Sequence, residues 1–238
     1  MKNTSVLGHI DFLASIKDAR VHSITIGQHW ILVESSMGSG LVTAPPLYLP
    51  DQRIPDYEKN SKKYSLRELA SLVKSENNLE RRIGCAAINS VTNRYALKLS
   101  AGNGLELTGK KDRRVVVVGR FPKLEEKIPH AIVLERNPGP KDLPEEEAVN
   151  VIPDCTHLII TASTWANGSL GNLLSLATNA HISLIGPGTP FSPIMKKYGI
   201  SRLAGFIVHT PTELSKLIKG GAGVRQFKHL GHFGIMEF

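Results

Sequence analysis

The sequence is short of most features that would name a chemistry outright. It has only two cysteines, Cys85 and Cys155, far apart and in no Cys-x-x-Cys pattern. Such thiols are expected to be buried, reduced and packed as small apolar groups. No thiolate cluster is therefore available for a soft metal ion. No apolar run approaches the roughly 18 residues of a membrane helix. Nor does the opening Met1-Lys2-Asn3-Thr4-Ser5 lead into the apolar core of a secretion signal. A cytoplasmic protein without membrane contact is expected. Aromatic residues are only 6% of the chain and are not interleaved with its basic ones, so a net charge of +8 does not by itself imply a nucleic-acid partner. The three-glycine G-x-G-x-x-G fingerprint is missing after the first strand of the second half, which disfavours ordinary NAD binding. No internal repeat, low-complexity tract, Ser-His-Asp spacing or paired-carboxylate spacing stands out.

What is present is enough apolar residue, 41% over 238 residues, for two modest domains with real cores. Thr4 to Ala19 has helical spacing. Val21 to Gly27 and Trp30 to Val33 read as a β-hairpin turning at Gly27-Gln28-His29. Gly38-Ser39-Gly40 is expected to be a second turn into a strand at Leu41 to Ala44, with a proline-broken loop from Pro45 to Lys63. Ser65-Leu66-Arg67-Glu68 is a capping box. A further helix runs from Leu79 into Gly84-Cys85-Ala86-Ala87-Ile88-Asn89, whose small residues would admit another backbone closely. Gly102-Asn103-Gly104 and the charged Gly109 to Asp112 stretch read as a linker.

Beyond it the pattern changes. Arg114 to Gly119 is apolar and β-branched throughout, as a parallel strand covered on both faces should be. Ala131 to Glu135, His157 to Thr161, Ile182 to Ile185 and Phe206 to Val208 follow as strands, alternating with helical stretches. The fold class is α/β, with a small α+β domain ahead of a doubly wound, Rossmann-like parallel sheet.

Open sheets of this kind bind ligands beyond the carboxyl ends of their strands. Four such ends carry polar or glycine-rich turns: Gly119-Arg120-Phe121-Pro122, Glu135-Arg136-Asn137-Pro138, Thr161 to Asn167, and Gly186-Pro187-Gly188-Thr189-Pro190. Either these glycines and prolines only shape turns, or the turns converge on one site. Arg120 is suited to a carboxylate or phosphate, or else is a surface arginine. Glu135 could hold a ribose hydroxyl or a metal, or pair with Arg120 or Arg136. Thr161, Ser163, Thr164 and Asn167 could meet an anion at a helix start, or cap that helix. His229-x-x-His232 is the only close histidine pair, and Gly231 and Gly234 argue that it lies in coil. Residues 191–238 hold seven Lys/Arg against two Glu, and 141–190 hold one Lys against five acids. The basic end is a solvated surface or an attractor of anions.

Seven stretches carry a family resemblance: Ile26-Gly27 with Trp30, Gly84 to Ser90, Val118 to Pro122, Glu135 to Pro138, Thr161 to Thr164 with Asn167-Gly168, Ile185 to Pro190, and Gly199 with Ala204-Gly205. The chain resembles a prokaryotic family of heavy-metal chelation type, whose members join an enolase N-terminal-like domain to a Rossmann-like one. The resemblance implies that residues 1–104 form the first domain and 105–238 the second. It also implies a site in the cleft between them that binds a metal ion or metal complex. Asn89 joins the candidate ligand-binding residues, and Glu34 with Glu135 are candidate metal ligands. Trp165 stands where the family pattern has leucine. Without thiolates, a hard ion or an already chelated metal is expected. The alternatives are an enzyme for a small anionic or nucleotide-like metabolite, held by Arg120, Ser163, Thr164 and the Gly186 to Thr189 turn, or a partner-binding interface. A small-molecule or metal partner is expected in the first two cases, and a homo-oligomer is left open.

Overall fold

The computed structural model describes residues 16–46, 56–94, 97–105 and 114–238. Most of the helix expected at Thr4 to Ala19 and the Gly109 to Asp112 stretch lie outside the described residues. Two sheets organise the rest. Three antiparallel strands, β1 (Val21–Ile26), β2 (Trp30–Ser35) and β3 (Gly38–Thr43), form the smaller one. The second hairpin turns at Ser36-Met37, not at Gly38 to Gly40 as expected; those glycines lie within β3. The reason is steric. Helix α1 (Leu66–Ser71) is followed by α2 (Asn78–Thr92), which lies so close on β3 that a Cβ on Gly40 would sit 2.8 Å from the backbone of Asn89. The capping box of Ser65 and Glu68 is formed. Gly84 likewise brings α2 against the backbone at Val73.

The strand β2 alternates its packing. Ile31 and Val33 join the main core, while Trp30 and Leu32 meet Phe206, Leu214, Ile218 and Phe227 from the end of the chain. The small sheet is therefore covered on both faces.

The larger sheet has the order β4-β11-β10-β9-β8-β5-β6-β7. Its strands are β4 (Ser100–Ala101), β5 (Val115–Val118), β6 (Ile132–Glu135), β7 (Leu143–Pro144), β8 (His157–Thr161), β9 (His181–Ile185), β10 (Ile200–Val208) and β11 (Gly231–Glu237). All neighbours from β7 to β10 are parallel. Counted in chain order, these six strands run 3-2-1-4-5-6, the Rossmann order. The four valines of β5 are buried, because neighbours cover both faces; each such side chain contributes about 1.5–3 kcal/mol when fully buried. The intervening helices are α3 (Leu124–Lys127), α4 (Ala148–Val151), α5 (Ser163–Asn167) and α6 (Leu170–Leu176), with α7 (Pro211–Lys219) and α8 (Val224–Phe227) near the end.

Strand β11, which pairs antiparallel with β10 over seven residues, replaces the coil expected around His232. Gly231 and Gly234 do not mark turns. They make room, Gly231 for the Ile207 carbonyl and the Phe206 ring and Gly234 for Leu99; ring and Leu99 atoms would stand 2.6 Å from an added Cβ. Strand β4 adds to β11, so the larger sheet includes residues ahead of 105. Among the described residues no helix is long and apolar enough to cross a membrane.

Candidate functional site

The strand order reverses between β5 and β8, the two strands from which the chain departs to opposite sides. A crevice at their carboxyl ends follows from that topology. Gly119 leaves β5 with φ of 91°, and a Cβ on it would lie 2.7 Å from Thr161 Cγ2. The two strand ends are thus as close as glycine allows. Above them lie Thr43, Ala44 and Pro46, which follow or end β3, and Arg82 from α2. Between floor and roof is a cavity of about 370 Å³, within the range that small ligands occupy.

The turn after β8 was expected as loop; from Ser163 it is the short helix α5. Its polar groups are partly engaged with one another. Thr164 Oγ1 donates to the Thr161 carbonyl at 2.7 Å, and the Ser163 amide reaches Thr161 Oγ1 at 3.4 Å. Asn167 Oδ1 accepts from both the amide and the hydroxyl of Ser169. Thr161, Ser163, Thr164, Asn167 and Ser169 all line the cavity. Trp165 turns the other way and is 2% exposed in the core, so its ring fills core space instead of the crevice.

Charged groups surround the opening in pairs. The Arg120 amide donates to Glu135 Oε1 at 2.5 Å, while its guanidinium reaches away to Asp142 at 2.5 Å and Glu125 at 3.3 Å. Hydrogen bonds donated to those two acids raise the Arg120 pKa, Asp142 first. Arg136 Nε pairs with Glu145 at 2.6 Å. Arg81 donates to the carbonyls of Ser75 and Asn167, tying α2 to the end of α5. An adjoining recess of about 520 Å³ shares Arg120, Glu135 and Asn137 with the cavity.

Arg82 differs from these arginines. It is 3% exposed. Its Nε donates to Asn78 Oδ1 at 3.0 Å, and Nη1 donates to the Thr43 carbonyl at 2.7 Å and the Thr43 hydroxyl at 2.8 Å. Among the described residues no carboxylate comes within ion-pairing distance of it. Burial above all, with the nearby charges of Arg136 and Arg81 and against an opposing effect of Cys85, lowers its pKa to about 10.

Of the residues expected at the site, Gly119, Arg120, Glu135, Asn137, Thr161, Ser163, Thr164 and Asn167 line the cavity. Phe121 does not; it packs partly buried against the side of the sheet holding Leu105, Val117 and Leu124. The turn of Gly186, Pro187, Gly188 and Thr189 lies elsewhere too. Gly188 meets the backbone of Val42, with an added Cβ 3.2 Å from its Cα, and Thr189 is fully buried. Asn89 is buried in the same interface, where its Nδ2 donates to the Leu41 and Gly188 carbonyls. Glu34 faces Ser23 and His22 at the other end of β2. It pairs with Ser39, whereas the cavity-lining Thr43 pairs with Trp30. Glu34 and Glu135 are therefore not brought together.

Sequence reasoning missed Thr43, Arg82 and Glu145; Arg136, offered as a partner of Glu135, lines the cavity and pairs with Glu145 instead. For Arg82 a signal existed: it lies three residues after Leu79 and four before Ala86, on the buried side of a helix where a charge is out of place.

The donors available to a metal can be judged directly. Cys85 is fully buried, and burial pushes its thiol up to about 12. Cys155 is also buried and its thiol is raised for the same reason. Neither supplies a thiolate. Among the described residues no group of three or more His, Cys, Asp and Glu is placed to hold a metal. Among the described residues the closest imidazoles are His209 and His232, with Nε2 and Nδ1 2.6 Å apart across β10 and β11. The cavity lining offers oxygens, which suit hard ions, but no closed cage for a bare soft cation.

Two family models match the chain, over residues 103–237 and 10–92, with one shared description. A solved protein of unknown function from Desulfitobacterium hafniense is 27% identical, with a TM-score of 0.87 over 98% of this chain and 99% of its own. Another, from Pyrococcus horikoshii and also of unknown function, is 22% identical, with a TM-score of 0.80 over 99% and 100%; it speaks for the fold alone. No curated protein matches. With the matched models covering both sheets, the chain belongs to the family described as "Putative heavy-metal chelation".

Proposed function

We propose that this protein binds a metal in complexed, anionic form, in the cavity between the small sheet and the carboxyl ends of β5, β6 and β8. The observation that carries the reading is a ligand-sized cavity at the point where the strand order reverses, roofed by a second structural unit. The family description supplies the metal. The donor set supplies the form: oxygens and a buried guanidinium, with no thiolates, suit a chelate that brings its own ligands better than a naked soft ion. In this reading Thr161, Ser163, Asn137 and Asn167 hydrogen-bond the chelate, and Glu135 stays turned toward the Arg120 amide.

The test compares ferric citrate with aqueous Cd²⁺, Zn²⁺ and Mn²⁺ by calorimetry and thermal shift on the full chain. Saturable binding of the ferric complex, with no comparable response to Cd²⁺, is expected. A strong response to bare Cd²⁺, or none to the complex, would remove the metal-complex reading.

The strand order favours one second reading, an enzyme acting on a small anionic or nucleotide-like metabolite at the same strand ends. The turn after β5 gives it no dinucleotide cradle: Lys123 enters α3 with φ of 61°, and α3 has four residues. Turnover of phosphate esters by purified protein, lost in S163A, would support this reading over simple binding.

A further inference from the structure

We infer that the guest in this cavity carries a phosphate or carboxylate group, and that Arg82 is the residue that anchors it. The inference rests on reading the cavity as the binding site and specifies the chemistry of its occupant. A guanidinium has five N–H donors. In Arg82, Nε and Nη1 are turned to Asn78 and Thr43. The Nη2 protons have no partner among the described residues, and Arg82 lines the cavity.

Charges this deeply buried are paired or coordinate an ion, since an uncompensated one is costly to desolvate. Among the described residues, the other guanidiniums at the cavity have already met their charge: Arg120 with Asp142 and Glu125, and Arg136 with Glu145. Of the described cavity arginines, Arg82 alone is held only by neutral groups. Those groups fix its plane without neutralising it and leave Nη2 to donate charge-assisted hydrogen bonds to an oxyanion. The same positive centre repels a naked cation and accepts an anionic complex.

The experiment titrates the full chain with inorganic pyrophosphate and with citrate, so that phosphate and carboxylate sources are separated. Variants R82Q, R82K and S163W are compared with the wild type, each checked for folding by circular dichroism. Saturable one-to-one binding of at least one anion is expected, weakened tenfold or more in R82Q and less in R82K. Equal affinity of wild type and R82Q overturns the inference. If S163W, which fills the cavity, still abolishes binding in that case, the cavity remains the site and only the role of Arg82 falls. If S163W is also harmless, the cavity reading falls with it. Failure of the wild type to bind either anion overturns the anionic requirement. Should R82Q not fold, tungstate diffused into wild-type crystals decides: an anomalous peak within hydrogen-bonding reach of Arg82 supports the inference, and a peak elsewhere or none overturns it.

Discussion

The Asn89 side chain in α2 donates to the carbonyl of Gly188, in the turn after β9, at 2.8 Å, and the same nitrogen also reaches the carbonyl of Leu41 in β3 at 3.1 Å. One fully buried amide therefore holds a helix, a strand of the small sheet and a turn of the large sheet together. Asn93 repeats the device one turn later, donating to the Thr189 carbonyl and accepting from the Phe191 amide.

Removing that amide leaves two buried carbonyls without a donor. The substitution also removes Asn89 Oδ1, which is buried with no partner of its own among the described residues, so at about 1–3 kcal/mol per unsatisfied group Asn89→Ala is expected to destabilise the fold by about 1–3 kcal/mol net. Urea denaturation measures this, and a change under 1 kcal/mol would mean that the interface does not depend on Asn89.

Gly119→Ala tests the closeness of β5 and β8. The residue has φ of 91°, and its Cβ would press on Thr161 Cγ2. A loss of about 1–3 kcal/mol is expected from the backbone alone. The double variant G119A/T161S lacks the methyl at 2.7 Å but keeps the Cβ at 2.9 Å, so it should recover only part of the steric cost. Full recovery in the double variant would show that backbone strain plays no role.

Asp142 gives the molecule an acid-sensitive contact. Burial alone would push its carboxyl up, but the Gly139 amide and the Arg120 guanidinium override this and hold it below 3.8. A carboxyl with a depressed folded pKa stabilises the fold above its unfolded value, and that contribution is lost as pH falls through the folded value. Wild type should therefore melt above Asp142→Asn at pH 6. The two curves should converge as the pH falls through the lowered folded value. Scanning calorimetry across this range checks both parts, and a pH-independent gap would contradict them.

The thiols should be silent in the native protein. With Cys85 pushed up to about 12 and both cysteines buried, DTNB at pH 8 is expected to modify neither within minutes. Both should react once guanidinium unfolds the chain. Rapid native labelling of Cys85 would reopen thiolate binding of soft metals.

Much of the fold could be read from the sequence because the relevant signals are local. The valines of β5, the capping box at Ser65 and the small residues of α2 each state their own environment. The glycines of β11 misled because glycine has two uses. One is turning the chain; the other is making room, and only the Phe206 ring and Leu99 reveal which applies. The same holds at the crevice. Sequence order predicts that Gly119, Glu135 and Thr161 stand at strand ends, and three of the four expected turns do line one cavity. That the Gly186 to Thr189 turn faces Val42 instead depends on where the small sheet docks, which no local pattern encodes. Arg82 was overlooked for a related reason: its partner Thr43 lies 39 positions away.

The two buried asparagines also bear on how a guest arrives. Pinned through α2 to the turn after β9, the upper wall is tied to the large sheet, so under the proposed function the doorway is expected to keep one width. Guests would then be sorted by girth and charge at the threshold, with little rearrangement on capture or escape. Exchange governed by the doorway alone would show as association rates that fall with guest diameter and hardly respond to solvent viscosity beyond simple diffusion.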